Sequence, residues 1–293
     1  MGAALRVSLR WGLGGLPLAA AFAYLFWPTF HWMAARFDRA DAFYSHGWLI
    51  PLASAWLMWA RRESLSRLTP RPSHAGLALL MPCAAVHVLA SWWSINVVSG
   101  FAMVGAVWGL VWTLWGGQVL WALRAPLAFL LFMVPLPSVL LIAVSFKMKL
   151  AAAAAVTTLL HLVGVPAAQA GSMIRVPGLS IIVDDTCSGL RSLISLVALA
   201  TLWAALMPAC LPEAGAGRPA SATWRQRLTI VAASIPIALL ANIVRILVLV
   251  LLGVFYGPQA AEGFIHYGSG VVVFGLALLA LTWLSRVMLR RSA

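Results

Sequence analysis

The sequence predicts an all-α protein, a polytopic transmembrane helical bundle of about eight spans. Of its 293 residues, 63% are hydrophobic and only 9% are charged, and the mean hydropathy is +0.96. Apolar runs long enough to cross a membrane recur along the whole chain. The 15 tryptophans agree with this, because tryptophan favours the level of the lipid headgroups.

The individual helices follow from the apolar runs and the polar breaks between them. We expect helices over residues 12–30, 46–60, 76–93, 97–116, a long region 125–164, 187–208, 227–253 and 267–289. The first run follows Arg6 and Arg10 and is predicted to be an uncleaved helix, because later runs have the same character. We find no linker and no internal repeat, which predicts a single integral membrane domain over residues 1–293.

The charge distribution predicts the orientation, because cytoplasmic loops carry the excess of Lys and Arg. With both termini inside, most basic residues are cytoplasmic: Arg6, Arg10, Arg61, Arg62, Arg67, Arg71, Arg124, Arg218, Arg225, Arg227, Arg286, Arg290 and Arg291. Five acidic residues then lie outside: Asp38, Asp41, Asp184, Asp185 and Glu262. The loop over about 165–186 is extracytoplasmic and the polar loop over about 209–226 is cytoplasmic. The net charge of +13 is therefore explained by the basic loops that orient the protein in the membrane, and we expect no nucleic-acid binding.

Two regions of this arrangement are unusual. Region 125–164 must cross an odd number of times, and its prolines Pro135 and Pro137 predict one crossing plus a broken, re-entrant or interfacial helix. Charged side chains are costly in mid-membrane, so we expect Lys147 and Lys149 near an interface. Residues 170–186 alternate β-prone runs with Gly and Pro-Gly, which predicts a small extracytoplasmic hairpin.

The cysteines and histidines indicate no disulfide and no metal site. The three cysteines, Cys83, Cys187 and Cys210, form no CxxC, and Cys83 falls inside a predicted span. The six histidines show no metal-binding spacing, so we expect neither a metal nor another cofactor.

Cys187 is the strongest candidate nucleophile. It lies at the predicted N-terminus of a helix, where the helix dipole favours a thiolate, and Arg191 follows one turn later on the same face. Two other helices bring polar residues to the same predicted depth. Arg245 lies 18 residues after Arg227, or about 27 Å along a helix, and His266 begins the last span. Asn242 precedes Arg245 by three residues and is expected to orient it.

These residues suit a division of roles, although each also has a simpler interpretation. A cationic Arg245 would stabilise a thiolate or an oxyanion, with Arg191 assisting, and His266 would act as general acid and then base. A lone membrane cysteine, however, is usually a small packing residue, and a terminal Arg usually reaches for headgroups. Asp184 and Asp185 are better explained as carboxylates at the helix start than as a catalytic pair.

Several segments resemble the exosortase/archaeosortase family of membrane transpeptidases (the EpsH-like proteins). The resemblance covers roughly residues 40–290 in the order that the family shows. The matching segments are YSHGWLIPLASAWLMWARRESL from Tyr44 to Leu65, FLLFMVPLP from Phe129 to Pro137, CSGLRSL from Cys187 to Leu193, ANIVRI from Ala241 to Ile246, and the region of His266.

The resemblance implies a catalytic set of Cys187, Arg245 and His266. It further implies cleavage of a C-terminal sorting signal of the PEP-CTERM kind, composed of a short motif, a membrane helix and a basic tail. The partners expected are such sorting-signal proteins and membrane lipid. The location implied is the cell inner membrane, with the site facing the periplasm. Apart from the resemblance, His46 is better explained as a structural interfacial residue than as one that lines substrate access.

Two other functions remain open from sequence. A non-enzymatic polytopic scaffold or transport component for exopolysaccharide or envelope assembly would not need Cys187. An acyltransferase would use His266 with a lipid donor on the outer face. Replacement of Cys187 and trapping of a Cys187 thioester separate these hypotheses from the transpeptidase.

Overall fold

The computed structural model describes residues 17–39, 43–183, 188–206, 223–257 and 263–290, with the side chains of 263–267 and 289–290 excepted. Most of these residues are helical. Helix α1 covers residues 17–25. The others are α2 (Trp27–Phe37), α3 (Leu49–Ala60), α4 (Arg62–Ser66), α5 (Leu77–Trp92), α6 (Asn96–Trp115), α7 (Gly117–Phe129), α8 (Ser138–Leu162), α9 (Leu190–Leu206), α10 (Trp224–Tyr256) and α11 (Gly263–Arg290). The predicted all-α class is confirmed.

Five helical segments are long and apolar enough to cross a membrane: His74–Trp92, Asn96–Trp115, Ser138–Leu162, Trp224–Tyr256 and Gly268–Met288. Two further apolar segments, Gly117–Met133 and Leu190–Leu206, are shorter. The protein is therefore a polytopic membrane protein. The predicted count of eight crossings stays a prediction.

Proline accounts for the wrong extent of one predicted helix and for a break that was expected in another region. The predicted helix 12–30 is interrupted at Phe26 and then continues to Phe37, because Pro28 lacks the N–H that would bond the carbonyl four residues earlier. The predicted region 125–164 is broken around Pro135 and Pro137 into α7, a 3-10 turn (Leu130–Met133) and α8. A break was expected there, but α7 begins already at Gly117.

The described chain divides into two compact units, and the first contains residues 17–39 and 47–135. In this unit α5 and α6 pack closely through a small-residue stripe. A side chain added at Gly109 would meet the backbone of Leu80 at 2.6 Å, and one added at Gly105 would meet Cys83 Sγ at 2.6 Å. Such Gly-x-x-x-Gly contacts let membrane helices approach closely. Cys83 is a free cysteine inside α5, as predicted.

A buried polar cluster joins three helices of the same unit. His87 Nδ1 shares a hydrogen bond of 2.7 Å with Ser99 Oγ, and Thr29 Oγ1 also bonds Ser99. His87 Nε2 lies 2.8 Å from the carbonyl oxygen of Leu25 and donates to it when Nδ1 accepts. In an apolar surrounding these groups satisfy one another, so the cluster fixes α2, α5 and α6 together.

The second unit contains residues 43–46 and the described residues from 136 to 290. Helices α9, α10 and α11 pack on one another through a shared apolar cluster: Leu196, Ala200, Ile230, Ala238, Ala277 and Leu281. Helix α10 runs unbroken for 33 residues. A capping box at its start, in which Thr223 and Gln226 bond each other's backbone amides, accounts for its sharp beginning.

A three-stranded antiparallel sheet follows α8, in the order β1 (Ala168–Ala170), β2 (Met173–Val176), β3 (Leu179–Ile182). The predicted hairpin over 170–186 is found as β2 and β3, with Val176 opposite Leu179. Pro177 and Gly178 make the turn, and Gly178 has a φ of +76°, which glycine adopts without strain. Ile174 and Val176 face a cluster formed with α8 and α10. Sequence reasoning missed β1.

Candidate active site

The predicted site residues distribute over α9, α10 and α11 of the second unit. Asn242 and Arg245 lie on α10, and Arg191 lies in the first turn of α9. Cys187, with Asp184 and Asp185, falls outside the described residues, as does most of the predicted cytoplasmic loop 209–226. For His266 the structure gives only the backbone, which lies in the first turn of α11.

Arg245 is the best-defined member of the group. Its Nε donates a hydrogen bond of 3.3 Å to Ser269 Oγ on α11. Its guanidinium lies over Gly270, where an added side chain would approach Arg245 Cζ to 3.5 Å. Because residues three and four apart share a helix face, Ser269 and Gly270 lie on the same face of α11 as His266. The Arg245 side chain therefore contacts α11 one turn from His266.

A small cavity lies beside Arg245. Its volume is about 20 Å³, enough for one water molecule. Polar groups enter it from α9 (Ser192) and α10 (Asn242 and Arg245), and Gly270 borders it on α11. The remaining wall is apolar. A guanidinium in such a partly buried setting interacts with a developing negative charge more strongly than it would in water.

The start of α9 packs directly on Asn242. Gly189 has a φ of +77°, and an added side chain there would meet Asn242 Cγ at 2.7 Å. Ser188 is almost fully buried, and its Oγ accepts a hydrogen bond of 3.3 Å from the Leu190 amide. Glycine and serine at these two positions thus let the chain that follows Cys187 enter α9 against α10. Asn242, expected only to orient Arg245, also forms the surface on which α9 begins.

Sequence reasoning missed four residues of this arrangement: Gly189, Ser192, Ser269 and Gly270. The signal for the last two was present, because a run of small residues such as Gly-Ser-Gly in a membrane helix is typical of a close helix–helix contact. Ser192 and Gly189 gave no such signal, since small residues are frequent in membrane helices.

The fold and this polar cluster define a class: a polytopic membrane protein with an arginine-centred site where three helices of one unit meet. A family model described as transmembrane exosortase matches residues 32–283. The chain therefore belongs to the transmembrane exosortase family, as the sequence resemblance implied. No curated protein and no solved structure matches the chain.

Proposed function

We propose that the protein is a membrane cysteine endopeptidase-transpeptidase that cleaves the C-terminal sorting signal of exported proteins. Membership of the transmembrane exosortase family supports this class of activity. The observation that carries the proposal is the setting of Arg245. It is hydrogen-bonded to Ser269 and lines a small cavity with Asn242, next to the start of the helix that follows Cys187.

The reaction proceeds in two steps. The Cys187 thiolate attacks the scissile carbonyl carbon and forms a C–S bond, and the oxyanion is stabilised by Arg245, with Arg191 assisting. The C–N bond then breaks as His266 protonates the leaving amine, which leaves a thioester on Cys187. In the second step His266 takes a proton from water or from an acceptor amine, which attacks the thioester and releases the thiolate.

The substrate that fits this function is a PEP-CTERM-like protein whose C-terminus has a short motif, a membrane helix and a basic tail. Cleavage then takes place at the outer face of the inner membrane, with both termini of the enzyme in the cytoplasm. The membrane lipid is the solvent of both enzyme and substrate helices. No cofactor takes part in this scheme.

The decisive experiment is processing of a sorting-signal protein in cells that express variants at equal level. Cys187→Ala is expected to abolish cleavage, and Cys83→Ala, which changes the free thiol inside α5, is expected to leave it unchanged. A Cys187-linked intermediate should accumulate with slow acceptors and be released by hydroxylamine, which attacks thioesters. Undiminished processing by Cys187→Ala would disprove the enzyme and favour a scaffold.

Arg245→Lys tests the role of the guanidinium. Lysine keeps the charge but loses the planar group that bonds Ser269, so we expect cleavage to fall by about 10²–10³, the loss typical of one oxyanion donor. Unchanged cleavage would mean that Arg245 only anchors the helix to headgroups.

The orientation is tested with two exposed serines. Ser180 lies on β3 and Ser64 lies in α4. In Ser180→Cys the thiol should react with a membrane-impermeant maleimide from the periplasm, whereas in Ser64→Cys it should react only after lysis. The opposite pattern would invert the proposed topology.

A further inference from the structure

A short segment from the first half of the sequence packs within the second unit. Tyr44 is buried, and its hydroxyl accepts a hydrogen bond of 3.2 Å from the amide of Leu136, 92 residues away. The Tyr44 ring also stacks on His46, with 5.8 Å between ring centroids and 27° between planes. These contacts fix the position and tilt of the His46 ring.

One nitrogen of His46 is held by helix α9. Its Nδ1 shares a hydrogen bond of 3.1 Å with Ser195 Oγ, 149 residues away in sequence. Ser195 lies one turn after Arg191 and on the same helix face. The imidazole is therefore held at Ser195 of α9, the helix that begins shortly after Cys187 in the sequence.

The other nitrogen of His46 is different. The Nε2 atom is buried and has no hydrogen-bond partner in the part of the chain that the structure describes. A buried polar atom without a partner costs about 1–3 kcal/mol. Part of the His46 residue is nevertheless exposed at the surface. An anchored ring with one unpaired nitrogen, in a residue that is itself partly exposed, is suited to binding a further group.

We propose that His46 Nε2 hydrogen-bonds a backbone N–H of the bound sorting signal, so that His46 is a substrate-positioning residue. This inference rests on the proposed function. The distance along α9 supports positioning over direct chemistry. Ser195 lies five residues after Leu190, about 8 Å along the helix axis. An extended peptide spans about 8 Å in two or three residues. The substrate N–H that bonds His46 therefore lies two or three residues away from the scissile bond.

The chemistry of the substrate supplies the matching group. A membrane helix leaves its first four N–H groups without intrahelical partners, and in an apolar surrounding each needs an acceptor. When Nδ1–H of His46 donates to Ser195 Oγ, Nε2 is a neutral acceptor, because the partner of one ring nitrogen sets the tautomer. The contact would satisfy both an unpaired amide of the substrate and the unpaired Nε2.

Two substitutions separate the two nitrogens. The amide of His46→Asn reaches the place of Nδ1 and can still bond Ser195, but nothing occupies the place of Nε2. The longer side chain of His46→Gln reaches the place of Nε2. Binding is measured in nanodiscs on the uncleaving Cys187→Ala background, with a synthetic peptide that carries the motif, the apolar segment and the basic tail.

We expect His46→Asn to raise the peptide Kd by about tenfold, the loss of roughly one hydrogen bond, and His46→Gln to stay within about threefold of the parent. His161→Asn is the matched control, because His161 is another histidine of this unit whose ring makes a hydrogen bond, from Nε2 to the carbonyl oxygen of Ala167. Its Kd should not change. Parent-like binding by His46→Asn, or equal losses in both His46 variants, would overturn the proposal.

A second measurement uses the active protein. His46→Asn should raise KM by about tenfold and leave kcat within about threefold. The reason is that the hydrogen bond stabilises the bound substrate and the transition state equally. A fall in kcat at constant KM would contradict a positioning role. Ser195→Ala removes only a hydroxyl and should raise KM by about threefold or more, and an unchanged KM would count against the anchored ring. If the parent cleaves nothing, the proposed function fails, and the Kd values still decide the role of His46.

Discussion

The most informative single substitution is Gly189→Ala, because it tests the contact between the start of α9 and Asn242. Gly189 has a φ of +77°, where any residue with a Cβ is strained. The new methyl would also lie 2.7 Å from Asn242 Cγ, 2.8 Å from Nδ2 and 2.9 Å from Cβ. All three distances are shorter than real Cβ contacts, so either α9 or α10 must move.

The expected cost has two parts. A residue with a side chain in the left-handed region loses about 1–2 kcal/mol, and a methyl forced into a packed site loses about 1–3 kcal/mol. Gly178→Ala provides the matched control, because Gly178 has a φ of +76° but nothing lies within 4 Å of an added methyl. Gly178→Ala therefore loses only the free energy that the left-handed backbone conformation costs. Any stabilisation from a stiffer unfolded chain applies to both variants and cancels.

The assay is the free energy of unfolding in mixed micelles, measured by titration with SDS. We expect Gly189→Ala to be less stable than Gly178→Ala by about 1–3 kcal/mol, the cost of overpacking. In a double-mutant cycle, Asn242→Ala should recover part of this difference, because it removes Cγ and Nδ2, two of the three atoms that clash, and keeps Cβ. Equal losses in the two glycine variants, with no coupling to Asn242, would refute the packing of α9 on α10 described above.

Three further predictions follow from the same structure. Ser99→Ala should lower the free energy of unfolding by about 1 kcal/mol, since His87 Nδ1 loses its 2.7 Å partner and keeps only longer contacts with the hydroxyls of Thr29 (3.4 Å) and Ser91 (3.5 Å), and unchanged stability in the SDS titration would contradict this. Gly109→Ala should be still more destabilising, by about 3 kcal/mol in the same titration, because its methyl would meet helix backbone at 2.6 Å and backbone cannot rotate away. Ser269→Ala should reduce processing by about tenfold without abolishing it, because the Arg245 guanidinium loses one bond and keeps its charge. Loss as complete as that of Cys187→Ala would show that Ser269 has a larger role.

The helices were predictable because the membrane imposes one dominant constraint on the chain. Every backbone N–H and C=O in hydrocarbon needs an internal partner, so long apolar runs become helices almost regardless of other preferences. The continuous helix from Arg227 to Arg245 is one such case, and it leaves the predicted separation of about 27 Å intact. The extent of the first helix was wrong because Pro28 removes a donor that hydropathy does not register, whereas the break around Pro135 was predicted from the prolines and is found.

Contacts between the helices were much less predictable. Equal membrane depth indicated that Arg245 and the start of α11 lie at one level, but depth carries no information on which helix faces which. Ser269 and Gly189 make the contacts: Gly189 gave no signal in the sequence, and the Gly-Ser-Gly run that contains Ser269 does not show which helix it faces. The contact of His46 was also not predictable, because its partner Ser195 lies 149 residues away in the sequence.

The small sheet gives an independent argument for the depth of the site. Open strand edges do not occur where they would face lipid, which favours a position of β1 to β3 at or beyond the level of the headgroups. Gln169 of β1 donates a hydrogen bond of 3.2 Å to the carbonyl of Leu150 on α8, and Ile246 of α10 packs in the cluster under the sheet. Arg245 directly precedes Ile246 along the chain, and Lys149 directly precedes Leu150. The sheet therefore supports the prediction that Lys149 lies near an interface, and under the proposed function Arg245 would lie at the same level, where a charged group is tolerated.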